Sequence, residues 1–229
     1  MNARLIVAVA HPLAPATDLV GSGPLAWMLL LAAMSVVPFL AVMLTSFAKM
    51  SVVLSLARAA VGTQQAPPTV VLTGLAAVLS LVVMAPVGEA MLKRAQTLER
   101  TSRPTDLVAL LRDVGAPLTA FLVRHASLEL RAEFIELSRE LGGREVADDA
   151  FAVLAPAFVI GELKQAFQIG FLVFLPFLVV DMVVANVLLA LGMQTLSPSQ
   201  VSLPFKLLLF VAVDGWGLLA RSLLLGYRG

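Results

Sequence analysis

Long apolar runs open and close this chain, and a polar block separates them. The first run starts at Gly21, Ser22, Gly23 and Pro24, with Pro24 suited to the first turn of a helix predicted over about Leu25 to Leu44 and onward past Lys49. Pro38 should kink or break it. The continuation TSFAKMSVVLSLARAAVG should stop at Gly62. Thr63 to Pro68 read as a stiff polar turn, because two consecutive prolines do not continue a helix. A second apolar helix is predicted over about Thr69 to Val87.

The middle of the chain has a different period. Leu107, Leu110, Leu111, Val114, Leu118, Phe121 and Leu122 fall at helical spacing, with a break expected at Gly115 and Pro117. A second stripe, Leu130, Phe134, Leu137 and Leu141, is surrounded by Glu129, Arg131, Glu133, Glu136 and Arg139. These are amphipathic helices, the second stopped by Gly142 and Gly143, with Asp148 and Asp149 placed to cap the next helix.

Two apolar arms then predict a hairpin, Gln165 to Met193 and Val201 to Tyr227, around a loop containing Ser197, Pro198 and Ser199. Each arm is long enough to cross a bilayer, which takes about 20 apolar residues. Each also carries a charge, Asp181 in the first and Lys206 in the second. A charge at the bilayer centre costs roughly 2.5 to 3.5 kcal/mol on insertion scales and therefore seeks a partner or a cavity. Counted from Pro198, the two lie at different depths, offset by about 13 Å at 1.5 Å per residue. Pairing within one copy is therefore expected to be awkward, and pairing between staggered copies is the alternative to two charges that each reach water separately.

The segments are thus 1–24, an N-terminal stretch; 25–88, a first apolar helical hairpin; 89–160, the amphipathic segment; and 161–229, the C-terminal apolar hairpin. The fold class is all-α, membrane-associated helical hairpins with an amphipathic helical middle segment. The apolar run in residues 5–10 is short for a signal peptide, so an uncleaved N-terminus is expected over a cleaved one.

Composition agrees with a membrane protein: 59% of residues are hydrophobic and 14% charged, with a mean hydropathy of +0.94. The charges are concentrated. Residues 89–164 hold 10 of the 16 basic and 12 of the 15 acidic side chains, so this part is read as facing water. Lys49 and Arg58, with no acidic neighbour, predict a cytoplasmic side by the positive-inside rule, unless they only snorkel to the nearest interface. The middle segment then falls in the periplasm and the loop Gln194 to Gln200 returns to the cytoplasmic side.

The pattern offers no catalytic constellation. Cysteine is absent, His11 and His125 stand apart, and there is no phosphate loop or HExxH motif. No enzyme activity, cofactor, metal or nucleic-acid partner is expected. The chemically loaded residues favour assembly: Glu162 and Lys164, read as partners across a subunit boundary or as interfacial charges; Asn186, as polar glue between helices; and Asp214 with Trp216, for packing or a bond to a neighbouring helix. The competing reading is an ion-coupled multi-pass transporter with Asp181 and Lys206 in a charge relay.

In order and spacing, GELKQAFQIGF, LPFLVVD, NVLLALGM, SP and LPFKLLLFVAVDGW, with the earlier SFAKMSVVLSLARAAVGTQQAPP, closely resemble the FliP and SctR family of type III secretion export-apparatus proteins. Gln64, Gln65, Pro67 and Pro68 are more similar to the injectisome branch than to the flagellar one. The resemblance implies a pore-forming subunit of an export gate in the bacterial inner membrane. It implies a homo-oligomer, a pentamer, joined to other export-apparatus membrane subunits beneath needle and rod components, with unfolded substrate proteins in transit. It also implies a methionine gasket after LGM. Here Met193 is followed by Gln194, Thr195 and Leu196, so closure would combine Met193 and Leu196 with two polar residues.

Overall fold

The computed structural model describes residues 24–63, 65–101, 107–142, 146–193 and 195–228. Among the described residues all regular structure is helical: α1 (Pro24–Met43), α2 (Phe47–Val61), α3 (Thr69–Thr101), α4 (Leu107–His125), α5 (Leu128–Gly142), α6 (Phe151–Ala190), α7 (Pro198–Ala212) and α8 (Gly215–Leu225). The chain divides into two compact units, residues 1–41 and 42–229.

The first unit contains nearly all of α1, a helix without a charged residue that exposes Trp27, Met28, Leu31, Met34 and Phe39. Pro38 lies inside the helix, and the chain leaves helical geometry only after Met43.

The second unit is built around α2. Met50, Val53, Leu54, Ala57, Ala60 and Val61 are buried along its length, and the helix packs against α3, α6 and α7. One element can touch so many others because alanines at Ala57 and Ala60 let neighbours approach closely. Gly62 ends α2 as expected, in the left-handed conformation at φ 88° that glycine adopts without steric cost. Arg58 fastens the adjoining turn by donating to the Pro67 carbonyl at 3.2 Å and to Thr69 Oγ1 at 3.0 Å.

Two apolar clusters meet along α6. One gathers Met50, Val53, Leu54, Leu72, Ala76, Ala166, Phe177, Phe210, Leu219 and Leu223 from α2, α3, α6, α7 and α8. The other joins Leu44, Phe121, Leu122, Ala126, Leu154, Ala157 and Phe158, so α4 closes on the N-terminal part of α6.

Several expected boundaries move. α3 runs on past the expected helix end at Val87 to Thr101, through Pro86, and α6 is likewise continuous through Pro156. α4 is continuous through Gly115 and Pro117, without the expected break. Pro inside a helix removes one hydrogen bond, and packing on both sides of the site holds the helix together across the gap. The second hairpin arm does break, at Val213 and Asp214, into α7 and α8 bent by 56°. Asp148 and Asp149 cap nothing: Ala150 is the N-cap of α6 with no side-chain bond, and Asp148 instead accepts from Arg131 at 2.7 Å.

Among the described residues two helices are long and apolar enough to cross a membrane, Thr69–Leu98 and Phe151–Ala190, and up to four segments qualify if each of two bent pairs counts as one span. At 1.5 Å per residue α6 is roughly 60 Å long, about twice the thickness of a bilayer core. Only part of it fits in hydrocarbon.

Candidate functional site

The residues singled out by charge come together in two places on α6, one in each half. In the N-terminal half Glu162 is almost wholly enclosed, and Lys49 from α2 lies against it with Nζ to Oε1 at 2.9 Å. Their side chains are 1% and 5% exposed, which makes this a fully buried ion pair. Tyr227, just beyond α8, completes the cluster: its hydroxyl donates to Glu162 Oε2, and its ring lies 4.1 Å from Lys49 Nζ. The cation is thus held by a carboxylate and an aromatic face together. His125 at the end of α4 stands edge-on to the Tyr227 ring at 5.2 Å, and Phe121 stacks on the same ring at 6.1 Å. Burial first, then the positive charges of Lys49 and Arg124, push the His125 imidazole below its usual pKa, so it favours the neutral form.

This corrects two expectations. Glu162 does not pair with Lys164; it takes Lys49 within the same chain, while Lys164 lies 3.8 Å from Glu129 at the exposed surface. Lys49 also does not snorkel to an interface with water in the folded chain, being buried against Glu162.

The second cluster lies in the C-terminal half. Asp181 accepts from Lys206 Nζ at 2.5 Å through Oδ2 and from Ser202 at 2.5 Å through Oδ1. Lys206 and Ser202 are buried, and Asp181 is half-buried. The expected mismatch in depth is absent because loop residues do not climb. α6 ends at Ala190 and α7 begins at Pro198, so Asp181 lies about 13.5 Å below one helix end and Lys206 about 12 Å below the other. One chain closes the pair by itself, and the two arms are fixed in register by it.

Gly192 shapes the loop that this register supports. At φ 71° it forms a helix-ending motif in which Met193 N–H donates to the Leu188 carbonyl at 2.9 Å and Gly192 N–H to the Leu189 carbonyl at 3.0 Å. Ser197 then precedes Pro198, which takes the first position of α7. Met193, Thr195 and Leu196 are exposed on this loop, and Gln194 lies outside the described residues.

Of the remaining residues, Asn186 is exposed on α6, and Trp216 packs edge-on against Phe210 with ring centroids 5.0 Å apart. Asp214 is exposed at the α7–α8 break with φ 50°. Sequence reasoning did not single out Tyr227, His125 and Lys49 as one cluster. A tyrosine and a histidine without spacing to a carboxylate carry no local signal, and only the fold brings α2, α4, α6 and the C-terminus to one point.

Among the described residues no group of three or more His, Cys, Asp or Glu side chains is arranged to hold a metal ion. What the geometry does provide is a set of helices whose buried charges, Lys49, Arg131, Glu162 and Lys206, are all in ion pairs within the chain while large apolar faces remain outside. Phe167, Phe171, Leu172, Leu178, Val179, Met182 and Val183 are all exposed along α6. That is the surface of a helical membrane protein. The FliP family model matches residues 30–223, and the chain belongs to this family.

It is 44% identical over 206 residues to Yop proteins translocation protein R of Yersinia pestis, covering 88% of this chain and 95% of that protein. It is 42% identical over 203 residues to hypersensitivity response secretion protein HrcR of Ralstonia nicotianae, covering 86% and 94%. The flagellar biosynthetic protein FliP of Caulobacter vibrioides is 42% identical over 199 residues, 87% of this chain and 74% of that protein. The nearly full-length match to the translocation and HrcR proteins sides with the injectisome branch.

Proposed function

We propose that this chain is a pore-forming subunit of a bacterial type III protein export gate and conducts unfolded substrate proteins across the inner membrane. A role in protein export follows from family membership. The observation that carries the finer reading is the near full-length identity to proteins named for translocation and secretion. Exposed apolar faces on α1 and α6 supply surface for lipid and for other subunits. The loop 191–197, held by the Asp181–Lys206 pair, supplies the closure, with Met193 and Leu196 as its apolar elements. The protein does no covalent chemistry of its own and needs no cofactor.

In this reading several copies, five by the family resemblance, join other export-apparatus subunits under the needle and rod. The amphipathic α4 and α5 lie on the periplasmic side. The transporter reading instead requires that Asp181→Asn abolish ion coupling in the isolated protein with assembly intact. Complementation tests the proposal: a strain lacking this chain should lose secretion of all type III substrates and regain it with the wild-type copy. Secretion unchanged in the deletion strain would overturn it.

A further inference from the structure

The charges set among the apolar helices mostly find partners inside the chain. Lys49 has Glu162, Lys206 has Asp181, and Arg58 has the Pro67 carbonyl and Thr69. Asp214 and Arg221 differ. Both side chains are exposed, and neither makes an ion pair or hydrogen bond among the described residues. They belong to the bent α7–α8 segment, one of the two bent pairs apolar enough to count as a span. Unpaired charges there carry a cost that a second protein surface can remove.

Asp214 is also built in place. It adopts the left-handed conformation at φ 50° and ψ 53°, uncommon for a non-glycine residue although aspartate takes it more readily than most. Its carboxylate lies over Gly217, where any Cβ would collide with it. Glycine therefore makes room for a carboxylate that has no bonding partner among the described residues.

Asp214 at the N-cap of α8 and Leu218, Arg221 and Leu225 within it follow at steps of four, three and four residues, and all are exposed. They form one stripe, with the two charges two helical turns apart, roughly 10.5 Å along the axis. A stripe carrying both signs complements a shifted copy of itself. Copies inserted in one membrane with the same topology run parallel, so the match requires an axial shift that brings Arg221 of one copy level with Asp214 of the next; the length of the arginine side chain takes up part of it. A contact of this kind is head-to-tail, each copy offering Arg221 to one neighbour and Asp214 to the other, and because each contact carries an axial shift it propagates as an open helix of subunits.

We propose that Asp214 and Arg221 form an ion pair between adjacent copies of this chain, with Leu218 and Leu225 packed beside it. The proposal rests on the reading that the protein oligomerises, and its test separates the two. The chain has no cysteine, so each introduced one is unique. Two differently tagged variants, Asp214→Cys and Arg221→Cys, are co-expressed with the other export subunits and cross-linked in membranes with a bis-maleimide whose span matches an arginine side chain, while native mass spectrometry reports the oligomer in the untreated sample.

A mixed-tag adduct linking the two positions, with no adduct from Leu218→Cys expressed alone, is the expected result. Reversal in Asp214→Arg should lose the oligomer, and the double variant Asp214→Arg with Arg221→Asp should regain it. An intact oligomer without the mixed adduct, or with adducts to a different protein, overturns the pair and leaves oligomerisation standing. A Leu218→Cys homodimer overturns the parallel arrangement. A monomer in every sample overturns the underlying reading and the pair with it.

Discussion

Replacing Glu162 by alanine is the most informative single change to the fold. It removes the carboxylate facing Lys49, whose side chain is only 5% exposed, and takes away the acceptor of the Tyr227 hydroxyl. The ammonium is then enclosed against the Tyr227 ring and the apolar surroundings of α2, with no counter-charge. Breaking a buried pair by removing one partner costs about 3 to 5 kcal/mol, because the remaining charge stays desolvated. For a chain of this length each kcal/mol lowers the melting temperature by roughly 2 to 4 °C, so the drop should be about 6 to 20 °C. The double variant Lys49→Met with Glu162→Leu removes both charges and keeps the volume, and should recover most of the loss, since an apolar pair often equals a buried ion pair. Thermal unfolding of the detergent-purified protein, followed by tryptophan emission and by light scattering, measures both. A fall of less than about 2 °C for Glu162→Ala, or a double variant as unstable as the single one, would refute the account of this cluster.

The second charge cluster and His125 give two further expected outcomes. Asp181→Asn should destabilise by about 3 kcal/mol because Lys206 stays buried without its anion, whereas Lys206→Met should cost about 1 kcal/mol because half-buried Asp181 keeps Ser202 and some water; equal losses in urea titration would contradict it. His125 titrates below its usual pKa, so unfolding takes up a proton between its folded and unfolded values. Its contribution is complete above the unfolded pKa and is lost as pH falls through the folded one. The melting temperature should therefore fall more steeply with acidification in the wild type than in His125→Gln, and parallel curves would refute the assignment.

The helices were legible where apolar periodicity and stop residues agreed, as in the Gly62 terminus of α2 and the stripe of α5. Proline misled in both directions. Pro117 sits within the continuous α4, since α3 and α6 pack against that helix. The real break at Asp214 has no proline, and depends on Gly215 lying under the Phe210 ring, where a Cβ would not fit. Depth was misjudged for Asp181 and Lys206 by counting through the loop as though it climbed at the helical rise. The Lys49–Glu162–Tyr227 cluster was out of reach, because its members are far apart along the chain and no local spacing records a contact made only by folding.

Whether the loop 191–197 lines the path of an exported protein is tested most directly by cross-linking. Met193→Cys and Leu196→Cys, each the sole cysteine of the chain, are expressed in a secreting strain with a substrate fused to a domain that cannot unfold and bearing one cysteine in its stalled segment. The account predicts a disulfide adduct between substrate and subunit at both positions, absent for a cysteine at Leu137 on the amphipathic α5. Adducts at Leu137 with none at the loop would contradict it.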